Sequence, residues 1–93
     1  MFAYETEEVK ELISETVGPI LWFMFKELDS PSSNHHFELS IIEMDGQIKQ
    51  RIIHTQRNTS YRREFSYKFP VPITVSVYIV GFSTDKWLML LQP

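Results

Sequence analysis

Cysteine is absent from the 93-residue chain, which removes disulfides, thiolate metal sites and cysteine nucleophiles together. The absence fits a reducing compartment. Glycine is scarce, with three in all, so there is no phosphate-cradling loop and no dinucleotide fingerprint. The serines are numerous, yet none stands in the Gly-x-Ser-x-Gly elbow of a hydrolase. Long apolar runs are missing too: residues 20–25 are too few to span a bilayer, and 73–82 are interrupted by Thr, Ser, Tyr and Gly. The opening Met1-Phe-Ala-Tyr-Glu has no basic region ahead of an apolar one, so no export leader is expected. A cytoplasmic or nuclear location follows as the expectation, with no membrane partner. Asn58-Thr59-Ser60 matches a glycosylation acceptor, but without export it reads as a loop.

What the chain does contain is strong β patterning around residues 37–55. Two runs rich in β-branched and aromatic side chains flank Asp45-Gly46, a dipeptide that accepts the positive φ angles of a two-residue hairpin turn. Pairing Met44 with Gln47 sets the register: Glu43 opposes Ile48, Ile41 opposes Gln50, Leu39 opposes Ile52, and Phe37 opposes His54. One side then carries Phe37, Leu39, Ile41, Ile48 and Ile52. The other is mixed, as expected of a sheet with one covered face.

The remaining elements follow from period. Thr6 can cap a helix whose first turn holds Glu7 and Glu8. Val9, Leu12, Ile13, Thr16 and Val17 recur at three- and four-residue spacing, and Leu21, Met24 and Leu28 continue the stripe past Gly18-Pro19. Because the stripe keeps phase, one kinked helix over 7–28 is favoured over two helices with Pro19 opening the second. Trp22, Phe23 and Phe25 ring its second half, to pack on the sheet or to meet a partner. Residues 29–34 read as a polar loop. Strict alternation over 61–69 predicts a strand with Tyr61, Arg63, Phe65, Tyr67 and Phe69 on one side and Arg62, Glu64, Ser66 and Lys68 on the other. Further strands are expected at 73–80 and 86–91. The expected fold is a single α+β domain: a kinked N-terminal helix on a four- to five-stranded antiparallel meander, in the order α-β-β-β-β-β.

Charge is lopsided although the net value is only −3. Residues 1–45 hold ten carboxylates against Lys10 and Lys26, a balance of −8, whereas 46–68 carry +5, six cations against Glu64. Lys49, Arg51, Arg57, Arg62 and Lys68 are expected to share one polar sheet face, as the docking surface for an acidic protein or, alternatively, for nucleic acid. Both sides of the last strand are apolar. Trp87, Leu88, Met89, Leu90 and Leu91 are therefore expected at an edge, in a homodimer contact. His35, His36 and His54, with oxygens from Glu38 or Asp29, lack the spacing of a zinc site and are expected as exposed loop residues. Glu38 and Glu43 project to opposite faces and form no catalytic carboxylate pair. The sequence thus predicts a non-enzymatic adaptor, subunit or inhibitor, without a cofactor or metal.

Overall fold

The computed structural model describes residues 1–28 and 34–91. The loop expected at 29–34, including Asp29, lies outside the described residues apart from Asn34. The elements are β1 (Phe2–Glu5), α1 (Glu7–Leu12), α2 (Gly18–Lys26), β2 (His35–Met44), β3 (Gln47–Gln56), β4 (Arg62–Tyr67), β5 (Val75–Ser83) and β6 (Lys86–Leu90). They build a small α+β fold with a mixed six-stranded sheet in the order β1-β6-β5-β2-β3-β4. No helix among the described residues is long and apolar enough to cross a membrane.

The central hairpin has the register that the Asp45-Gly46 turn dictates, from Met44 opposite Gln47 to His35 opposite Gln56. Asp45 and Gly46 both adopt positive φ, 52° and 76°, which matches the twist of the flanking strands. β4 continues the meander beside β3, with Phe65 opposite Ile52.

The order then departs from a meander. β5 crosses back to pair with β2, β6 pairs with β5, and β1 closes that edge by running parallel to β6. This first strand has no counterpart in the sequence expectation. Four residues show little alternation, and their partner lies at the far end of the chain. Locally, Phe2 N–H donates to the Asp85 carbonyl at 2.8 Å, and the N-terminal ammonium meets Asp85 at 3.2 Å.

The single kinked helix is also corrected, in favour of two short helices. The Ile13 carbonyl accepts from the N–H of Thr16 and of Gly18, at 3.0 and 2.8 Å. A Cβ on residue 18 would lie 2.8 Å from that same oxygen, so only glycine allows the approach. Pro19 then opens α2, where its missing N–H costs no helical bond. α1 is capped by the Thr6 hydroxyl, which accepts from Val9 N–H.

Both helices lie on one face of the sheet. Val9, Ile13, Val17, Leu21, Met24 and Phe25 bury against Phe37, Leu39, Ile52, Val77, Ile79 and Met89. Glu5, at the end of β1, ties them down by accepting from Ser14 Oγ at 2.7 Å and Trp22 Nε1 at 2.8 Å. The cover is partial. Ile41, Ile48 and Phe65 share the helix-facing side of the ribbon, yet remain 46%, 51% and 43% exposed near its tip.

Gln50 fastens the crossing from β4 to β5. Fully buried on β3, it accepts from Ile73 N–H at 2.8 Å, and its amide donates to the carbonyls of Ile73, Ser40 and Arg51 at 3.0–3.2 Å. Gln50→Leu keeps the volume and leaves the Ile73 N–H and these carbonyls without that partner. The expected loss is about 2–4 kcal/mol of folding stability, read from the guanidinium midpoint at neutral pH.

Candidate functional site

The face of the sheet opposite the helices has no second layer among the described residues. Its two halves differ in chemistry. On β1, β6 and β5 it carries Tyr4, Leu88, Leu90, Tyr78 and Val80, with the Phe82 ring 5.7 Å from that of Tyr4. On β3 and β4 it carries Lys49, Arg51, Arg62 and Glu64, beside Glu38 of β2.

Three of the five cations expected to form the docking surface therefore share this face. Arg57 lies in the turn after β3, its N–H donating to the Asn34 carbonyl at 2.8 Å, and Lys68 follows the end of β4. Glu64 divides the row. Its carboxylate takes bonds from Arg62 at 3.0 Å and Arg51 at 3.3 Å, which hold its pKa below the usual carboxylate range. The alternation over 61–69 already set Glu64 on the cationic side. Pairing of β4 with β3 brings Arg51 to it as well, so that one carboxylate bridges two guanidiniums and leaves a net positive charge.

Where β2 and β3 leave the sheet, a concavity of about 320 Å³ opens between Asn34, His35, His36, Thr55, Arg57, Tyr78 and Val80. The His36 ring stacks on Tyr78 with centroids 4.7 Å apart. A mainly apolar lining that includes Thr55 and Arg57 can receive a mixed apolar and acidic group.

The C-terminal strand is not an edge, which corrects the reasoning that placed a contact there. β6 lies between β1 and β5. Met89 is fully buried in the core, and Trp87 and Leu91 pack partly against it, with the Trp87 ring 4.8 Å from Phe25. Leu88 and Leu90 alone of the five face the open side. Pairing on both flanks removes the edge, while the side chains of Leu88 and Leu90 remain on the open face.

The histidines correct the exposed-loop expectation. His35 starts β2 and His54 lies near the end of β3; both are buried, and His35 Nδ1 sits 2.9 Å from His54 Nε2. Phe37 stacks on His54 at 4.2 Å, while Phe25 meets His35 edge-on at 4.8 Å. His36 points to the opposite face, as neighbours on a strand must, so the three imidazoles do not converge. No group of three or more metal-binding side chains occurs among the described residues. Burial holds both paired histidines down to about 4 from 6.5, and His54 also faces His35 and Arg63. The pair is a neutral core element. One ring donates and the other accepts, away from any surface substrate. Strand parity was the available signal, because it puts His35 and His54 on the side of Phe37 and Leu39.

A scan against protein-family models and a search of curated proteins find no match. Among solved structures the chain is similar to a protein of unknown function from Enterococcus faecalis. The TM-score is 0.70 at 14% identity, over 98% of this chain and 87% of that one. The likeness establishes a shared fold.

The buried pair makes stability depend on pH in a defined sense. Its folded pKa values, about 4, lie below the ordinary 6.5, so the unfolded chain binds more protons between them. This contribution is whole above about pH 6.5 and declines as pH falls towards 4. Guanidinium midpoints measured from pH 7.5 down to 4.5 should show the decline. Replacing both rings, His35→Leu with His54→Leu, should flatten it, since an apolar pair has no proton to gain.

Proposed function

We propose that this protein is a non-enzymatic interaction module that docks an acidic protein on its open sheet face. One observation carries the reading: a sheet face without a cover among the described residues presents an apolar half beside a cationic half. Apolar side chains supply the area that drives association, and Lys49, Arg51 and Arg62, with Arg57 and Lys68 at the ends, select a partner of negative charge. The nearby concavity can accept an anchoring side chain. In this reading the module acts by occupancy, as a subunit, adaptor or inhibitor of a larger protein, without a cofactor.

Nucleic acid is the second reading, favoured by Tyr78, an aromatic on the same face as the cations. Against it, Glu64 occupies two of the guanidiniums and Glu38 adds another negative charge beside them. Three cations set among two carboxylates can pair with a few acidic side chains but do not offer the unbroken positive row that a run of phosphates needs.

Reversing two cations separates the readings. Lys49→Glu with Arg51→Glu, carried by the purified full chain into nuclease-treated extract of the native host, should abolish retention of a stoichiometric protein that the parent chain holds at moderate salt. Retention unchanged by the reversal would remove the cationic docking surface. Binding of generic RNA or DNA whose affinity falls steeply with salt would promote the second reading.

A further inference from the structure

We propose that a second copy of this chain docks along the free edge of β4, antiparallel and centred on Ser66, joining the two sheets into one. The proposal rests on the interaction-module reading for its purpose and on β4 alone for its geometry.

β4 pairs with β3 on one side, and its other side ends the sheet. Such an edge presents a row of backbone donors and acceptors to any compatible strand. It also carries aromatic surface: Phe65 is 43% exposed, and its ring leads at 5.4 Å to the half-buried Tyr67, which packs against the core, and that ring at 5.7 Å to the half-buried Phe69. No proline interrupts the strand before Pro70.

The sequence of the edge selects one register. A two-fold axis perpendicular to the sheet pairs residues of the same face, so it must pass through a residue position. Centred on Arg63 or on Glu64, that side chain opposes its own copy, guanidinium to guanidinium or carboxylate to carboxylate. Centred on Phe65, Arg62 opposes Lys68. Centred on Tyr67, Glu64 faces Pro70, which has no N–H to share, so the ladder shortens to 65–69. Centred on Ser66, Pro70 falls only at the outermost pair, opposite Arg62 where β4 begins, and positions 63–69 oppose one another favourably. Glu64 meets Lys68 of the second copy, Phe65 meets its Tyr67, Arg63 meets its Phe69, and the two Ser66 residues lie on the axis. This register uses Lys68 and Phe69 as a two-residue continuation of β4.

The same antiparallel arrangement relieves the incomplete cover. The Tyr67 end of β4 lies towards the bare hairpin tip, opposite Gln50, whereas its Arg62 end lies towards the helix-covered end, opposite Thr55. Inverting the second copy sets its covered end beside the bare end of the first. There Arg63, already joined to Glu27 just past α2, approaches Phe69 of its neighbour.

The test uses the full chain. Sedimentation at tens of micromolar should give about twice the 11.0 kDa of one chain. Glu64→Lys or Lys68→Glu alone opposes like charges at both symmetry-related pairs and should weaken the dimer roughly tenfold. An equimolar mixture of the two variants should recover it, because each then supplies the charge the other lacks. Since the chain has no cysteine of its own, Ser66→Cys should cross-link to a covalent dimer under mild oxidation. Ser76→Cys, on the open face, should not. Phe65→Asp should give a monomer that still retains a partner captured through Lys49 and Arg51, which separates failure of this proposal from failure of the docking reading. A parent chain that stays monomeric, a mixture without recovery, or Ser76→Cys cross-linking as well as Ser66→Cys would overturn the β4 contact.

Discussion

Two short helices must cover a six-stranded sheet, and the reach of that thin layer sets nearly every other property of the molecule. A six-residue helix such as α1 has little stability of its own, so it exists because its apolar stripe is buried. Val9, Ile13, Val17, Leu21, Met24 and Phe25 each contribute on the order of 1.5–3 kcal/mol by leaving water. That suffices to seat the helices over β6, β5, β2 and the near part of β3. Among the described residues it leaves one whole sheet face, the hairpin tip and Phe65 of β4 to solvent or to other molecules.

Polar groups inside this small core hold its elements in place. Glu5 binds both the segment after α1 and the Trp22 ring of α2, so the first strand cannot shift without releasing the helices. Gln50 anchors the return towards β5 with four bonds. The His35–His54 bond joins neighbouring strands beneath Phe25. Glu5 and Gln50 lose water on burial and their bonds offset that cost in one arrangement of the chain, whereas His35 and His54 share one bond and leave His35 Nε2 and His54 Nδ1 buried without a partner among the described residues. The open face reverses the balance. There Arg62 and Glu64 are exposed and Arg51 partly so, and their mutual bonds add little stability while shaping the surface potential.

Local sequence signals decide structure where the physics is local. The Asp45-Gly46 turn demands positive φ at two successive residues, which few sequences accept, and strand parity then assigns ten pairs without further information. Thr6 was legible as a cap for the same reason. The alternation of 61–69 gave β4 its correct sides but not its exposure, because how far a helix reaches across a sheet is not written in a strand. Gly18-Pro19 admitted two outcomes. The contact between Gly18 and the Ile13 carbonyl, absent from any periodicity, chose the one with two helices.

By itself the sequence determined the type of each long element, the hairpin register, the apolar stripe and the uneven distribution of charge. Those depend on residues close together along the chain, or on a period of two or of three to four. Tertiary structure alone decided that β1 joins β6 in parallel, that β5 crosses to β2, and that β6 is therefore interior instead of an edge. It also decided that two histidines share a bond in the core and that Glu64 lies between Arg51 and Arg62. Such pairings join residues distant in sequence, and which of several apolar strands sit side by side depends on the burial available to the whole chain, a quantity no local window contains.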